Sequence, residues 1–76
     1  MLNFLFDKED NLKPQRIRKS ELAAIYGVSL RTLRYELENR VYIEPRKWFY
    51  TVQECEKIFA LLGTPDRTQV ESVFKR

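Results

Sequence analysis

A glycine between two short stretches of helical periodicity, Gly27 in AAIYGVSLRTL, most limits the folds open to this chain. Before it, Leu22, Ile25 and Tyr26 share one helical face behind Ser20, whose hydroxyl suits an N-cap. After it, Ser29 stands as a second cap, and Leu30, Leu33 and Leu37 fall on a single stripe. Helices commonly stop at a residue that tolerates positive φ, so a sharp turn is expected at Gly27. The spacing predicts two short helices crossing each other, with Ala23 giving room at the crossing and Val28 turned into the core.

The flanking segments read as smaller elements. In LNFLF, Leu2, Phe4 and Phe6 alternate as in a short strand. DKEDN forms a turn, Pro14 interrupts, and QRIRK is a second extended piece, so this arm either packs as a hairpin or frays. In RVYIEPRKWFYT, β-branched and aromatic residues flank a turn at Glu44-Pro45-Arg46-Lys47, which predicts a β-hairpin, or wing. Thr51 to Glu54 has the form of a capping box, ahead of a stripe of Val52, Cys55, Ile58, Phe59 and Leu62 that ends at Gly63. Thr68 to Glu71 has the same form, ahead of a short helix carrying Val70, Val73 and Phe74. That helix either docks on its own domain or offers a surface for a homodimer or a partner protein. The expected class is mainly α with a small β-hairpin wing, a winged helix-turn-helix. Residues 1–18 would be an arm or short hairpin, 19–63 the winged unit and 64–76 the terminal helix, together one domain.

Size and composition narrow the chemistry. Seventy-six residues, 43% of them hydrophobic, suffice for one modest core and leave no room for a buried catalytic cavity beside it. The chain has no histidine and one cysteine, Cys55, which excludes an internal disulfide and a Cys/His zinc site. Cys55 sits on a helical stripe and is expected in the core. Two isolated glycines make no phosphate-cradling loop, and Glu54 and Glu56 point to different helix faces. Neither catalysis nor a cofactor, metal or small-molecule ligand is therefore expected. The longest apolar runs, residues 2–6 and 58–62, are far shorter than a membrane span, and the first residues lack the pattern of a secretory signal. A cytoplasmic protein is expected, with no membrane partner.

Charge distribution says more than the net charge of +3. Residues 13–47 hold nine bases and four acids, so a basic middle lies between acidic ends. That arrangement suits a module presenting one face to phosphates. With Leu30, Leu33 and Leu37 facing inward, 100° per residue turns Arg31, Tyr35 and Glu38 outward, flanked by Thr32 and Arg34. Guanidinium groups bind phosphate or the O6/N7 edge of guanine, and Thr and Tyr hydroxyls bind phosphate oxygens. Ser29 and the free N–H groups at the helix start suit one more phosphate. The plainer possibilities are an Arg34–Glu38 pair one turn apart and a Tyr35 packed at the core edge. Trp48 and Tyr50 are expected to pack between wing and helices.

SELAAIYGVSLRTLRYELENRVYIEPRK resembles the DNA-binding domain of MerR-type regulators and excisionase-like proteins, in which a GVS-x-RTLRY core and a P-x-R step recur. FYTVQECEKIFALL is similar to the helix after the wing in that family. The resemblance spans roughly residues 17–63. It implies DNA contacts from Arg31, Thr32, Arg34 and Tyr35 on the recognition helix and from Arg46 and Lys47 in the wing. Glu38 is an unusual acid near that helix end, and the wing lacks the serine-glycine step often found there. Residues 64–76 offer no long dimerisation helix, which points away from a ligand-sensing regulator and toward the small excisionase-like proteins and regulators of mobile elements. The expected function is sequence-specific binding of double-stranded DNA by the helix at about residues 29–39. Arg31 and Arg34 would read bases, while Ser29, Thr32, Tyr35, Arg46 and Lys47 would anchor phosphates. The competing reading is a protein-interaction module of the same fold that does not bind DNA.

Overall fold

The computed structural model describes residues 5–74, leaving the side chain of Phe74 outside the described part. In chain order the elements are β1 (Ile17–Arg18), α1 (Lys19–Ile25), α2 (Leu30–Leu37), β2 (Phe49–Tyr50), α3 (Val52–Leu62) and α4 (Arg67–Phe74). The protein is thus mostly helical, with one two-stranded antiparallel sheet. None of the described helices is long and apolar enough to cross a membrane.

The turn between α1 and α2 forms where the glycine sits. Gly27 has φ +76°, its N–H donates to the Ala24 carbonyl, and the Val28 N–H donates to the Ala23 carbonyl. Ala23, Leu22 and Ile25 are buried where α1 meets α2, as are Leu33 and Leu37. Leu30 is half-buried against the same cluster. Two expectations fail here. Val28 is exposed at 37%, because the chain leaves the positive-φ residue with this side chain pointing away from the core. Ser20 lies inside α1, which begins one residue earlier at Lys19; its N-cap position is Arg18, which makes no side-chain cap. That start reflects β1 running directly into the helix, since the Lys19 N–H is already taken by the Trp48 carbonyl at 2.9 Å.

Phe49–Tyr50 pairs with Ile17–Arg18 in the register Ile17↔Tyr50 and Arg18↔Phe49, and not with the residues before Pro45. The expected hairpin within the segment after α2 is therefore replaced by an irregular loop at residues 41–48. The reason lies in partners distant in the sequence: the backbone N–H and carbonyl of Glu44 are both occupied. Its carbonyl accepts from Lys19 Nζ at 2.8 Å, and its N–H donates to Glu54 Oε2 at 2.9 Å, while Pro45 has no N–H to give a ladder. The sheet joins the segment before α1 to the segment before α3, clasping the helical pair at its ends.

The caps of the later helices differ in an informative way. Thr51 and Glu54 form the reciprocal capping box that the sequence predicts, and α3 ends at Gly63 with φ +97°. Cys55, Ile58 and Phe59 are buried on its inner face, but Val52 is exposed. For α4 the box is two residues earlier than expected: the Gln69 N–H donates to Asp66 Oδ1 and the Asp66 N–H to Gln69 Oε1. Aspartate is at least as good a cap as threonine, and starting there places Val70, fully buried, against the core beside α1.

The proposed strand positions Leu2 and Phe4 lie outside the described residues. Residues 6–12 pack as a turn and do not fray: Phe6 bridges Leu12, both buried, and Asp7 Oδ1 accepts from the N–H groups of Glu9 and Asn11. This turn docks on the start of α4 through Leu12 N–H to the Pro65 carbonyl and Arg67 N–H to the Asp10 carbonyl, each 2.8 Å.

Candidate nucleic-acid interface

The second helix is built to hold one face rigid and leave the other bare. Ser29 Oγ accepts from the Thr32 N–H at 3.1 Å and donates to Thr32 Oγ1 at 3.0 Å, so the first turn is fixed. Leu33 and Leu37 lock the inner stripe. On the outside, Arg31, Thr32, Arg34 and Tyr35 are all exposed, Tyr35 at 75%. This decides against the core-edge position for Tyr35. Among the described residues, the ion pairs within 4.0 Å all belong to Arg67, so the Arg34–Glu38 pair does not form and Arg31 has no carboxylate at hand. A pair of guanidinium groups thus stands on the helix with no carboxylate within 4.0 Å among the described residues.

Beside α2 lies a cleft of about 800 Å³, walled by the helix on one side and by the 41–48 loop on the other. It brings together two of the seven sequence-predicted residues, Arg34 and Lys47, and adds the bases Lys19 and Arg40 and the acid Glu38. Ser29, Arg31, Thr32 and Tyr35 lie on α2 or at its cap, outside that lining, and Arg46 is exposed at the turn between Pro45 and Lys47. The loop that carries Arg46 and Lys47 is held by the two hydrogen bonds to Glu44. Lys19, only 9% exposed, supplies one of them while its ammonium lies 5.6 Å from the centre of the Tyr50 ring.

Glu54 supplies the other bond and acts at three points: its carboxylate accepts from the N–H groups of Glu44 and Thr51, and its own N–H donates to Thr51 Oγ1 to close the α3 capping box. Burial pushes its carboxyl upward, but those two N–H donors and the Lys19 charge outweigh burial and hold it below its ordinary value of 4.5. Tyr50 is pushed up to about 12, first by burial and then by the Glu54 charge, with Arg34 opposing. Cys55, fully buried, has a thiol raised above its usual range by desolvation, which marks it as a packing residue and not a reactive one.

Several neighbours of the interface did not stand out in the sequence as site residues. Tyr50 packs in the core as expected, but Trp48 is 60% exposed and does not fill the space between the 41–48 loop and the helices. Arg16 and Arg18 converge on it across the sheet, at 5.9 and 5.5 Å from its ring centre. A usable signal was present in Arg16-Ile17-Arg18, because strand alternation with Ile17 inward turns both arginines outward. Their meeting with Trp48 depends on the pairing of β1 with β2, a contact between distant segments that no local pattern reveals.

Comparison with family models, curated proteins and solved structures gave no significant match to this chain.

Proposed function

We propose that the protein binds duplex DNA, with α2 in the major groove and the 41–48 loop over the adjacent backbone. The observation that carries this reading is the outer face of α2, where Arg31 and Arg34 stand exposed without a carboxylate partner among the described residues, on a helix locked from behind by Leu33 and Leu37. Arg31 reads a base edge and Arg34 shares that role from the cleft wall. Ser29, Thr32, Tyr35, Arg46 and Lys47 bind phosphates. The resemblance to MerR-type and excisionase-like winged helix-turn-helix domains supports the same assignment, with a small transcription regulator or an architectural factor as the biological role.

The test is selection of the purified chain against a randomised duplex pool, then salt titration on any enriched site. A short enriched motif whose affinity falls steeply with salt is the expected result. Salt-sensitive binding without a motif would favour the architectural role, and no binding at low salt would overturn the proposal. A protein-interaction role draws on one observation, the exposed aromatic rings of Tyr42 and Trp48 beside the cleft, and predicts no salt-dependent DNA binding at all.

A further inference from the structure

The two-stranded sheet has an outer face whose composition the helical interface does not explain. Ile17 and Tyr50 are paired across the sheet and both are buried, so the alternating positions, Arg18 on β1 with Arg16 just before it and Phe49 on β2, turn outward. The Arg16 guanidinium lies 4.0 Å from the centre of the Phe49 ring, Arg18 lies 5.5 Å from that of Trp48, and Lys47 Nζ lies 5.7 Å from that of Phe49. Trp48 and Phe49 themselves meet edge to face at 5.0 Å. Among the described residues, none of these three cations has a carboxylate within 4.0 Å.

A guanidinium held against an aromatic ring has already lost much of its rotamer freedom, while its N–H donors stay available for a planar or tetrahedral anion. Lys47 and Trp48 also line the cleft opposite Arg34. The cleft joins α2 to the sheet through a lining that carries four bases, Lys19, Arg34, Arg40 and Lys47, against one acid, Glu38.

We propose that Arg16 and Arg18, steadied by Phe49 and Trp48, form a second set of phosphate anchors that grips the duplex backbone beyond the footprint of α2. This rests on the DNA-binding reading above. The occupant is a phosphodiester chain because the surface offers three cations, none with a carboxylate within 4.0 Å among the described residues, and because it continues the face already assigned to DNA. No base edge is read here, so the contribution is independent of sequence.

The experiment compares the full chain with the double variant Arg16→Ala/Arg18→Ala on the selected duplex and on an unrelated one, across a range of salt concentrations. A net-charge control, Lys8→Ala/Lys57→Ala, removes two exposed lysines that take no part in the aromatic cluster or the cleft. The expected result is uniformly weaker binding to both duplexes, a log–log salt slope shallower by about two and unchanged base preference. The lysine control should keep the wild-type slope. A parallel pair, Arg16→Gln/Arg18→Gln, gives the same readout if the alanine pair disturbs folding. An unchanged slope in the arginine variant, an equal loss in the lysine control, or a changed base preference would each overturn the inference while leaving the α2 assignment standing. Failure of the unaltered chain to bind any duplex would instead remove the DNA reading, and this inference with it.

Discussion

The two sides of the molecule treat their charged and polar groups in opposite ways. Around α4 and the turn at residues 7–11, the polar groups answer one another. Arg67 pairs with Asp10 at 3.1 Å and with Glu71 at 3.7 Å, Asp66 and Gln69 cap each other, and Asp7 closes its own turn. Around α2 the arginines find no such partners among the described residues, although Glu36 lies on the same short helix and Glu38 at its end. Folding alone is served by the first arrangement. The second leaves electrostatic free energy unused within the chain, which is intelligible if an external anion supplies the missing partner. Charge thus serves structure at one end and is held in reserve at the other.

The contrast breaks most severely if the support behind α2 is removed. Leu33→Ala deletes a side chain that is 1% exposed and should cost about 2–5 kcal/mol of stability, read from urea unfolding. Binding should fall only as far as the folded fraction does. Next in size is Gly27→Val. A Cβ at Gly27 meets nothing within 4 Å, so any cost comes from the backbone at φ +76° and not from crowding. A β-branched residue there should lose about 1–3 kcal/mol, and an undiminished Tm would show that the turn tolerates another conformation.

Arg31→Ala sharpens the comparison from the other direction. It should weaken binding to the selected site by about 1–3 kcal/mol and relax preference at one position, with the Tm unchanged because Arg31 has no ion-pair partner to lose among the described residues. A drop in Tm without an effect on binding would reverse the roles given to the two sides.

How much of this was legible in the sequence depends on the range of the interaction involved. Gly27, the Ser29 cap, the Leu33/Leu37 stripe and the Thr51/Glu54 box are decided within a few residues, and the structure has them where periodicity and capping chemistry put them. The outward set of Arg31, Thr32, Arg34 and Tyr35 came from the same periodicity. What failed was nonlocal. A hairpin at 41–50 was the natural reading of β-branched and aromatic residues around a proline, yet Lys19 and Glu54, from two different helices, take the carbonyl and the N–H of Glu44. The α4 cap moved for a similar reason, since Arg67 N–H is drawn to the Asp10 carbonyl of the first turn. Trp48 and Tyr50 were both expected inside because small domains need large core side chains, but Trp48 lies just before β2 and is exposed, so Tyr50 alone of the two is buried.

Smaller still is the effect expected at the α3 cap, which belongs to the self-satisfied side but reaches toward the interface through Glu44. Thr51→Ala should cost about 1 kcal/mol by freeing the Glu54 N–H. Glu54→Gln adds a pH signature. The folded-state carboxyl titrates below its ordinary 4.5, so its contribution is present above that value and is lost as the pH falls through the folded-state value. The glutamine variant should therefore be less stable than wild type at neutral pH and lose less stability on acidification. Equal acid sensitivity in both proteins would show that other carboxylates govern the transition.

The smallest effect belongs to Arg67→Ala, and it tests whether paired charge is purely structural. Arg67 is half-buried, with its guanidinium 4.3 Å from the centre of the Phe6 ring and its N–H groups on Asp10. The ion pairs are partly exposed, so their share should be about 0.2–1 kcal/mol and shrink as salt is added, whereas the stacking share should persist in salt. Binding to duplex DNA should keep its salt slope, because a guanidinium already neutralised by Asp10 releases no counterion from a phosphate. A shallower slope in this variant would place Arg67 among the DNA contacts and erase the division between the two sides of the molecule.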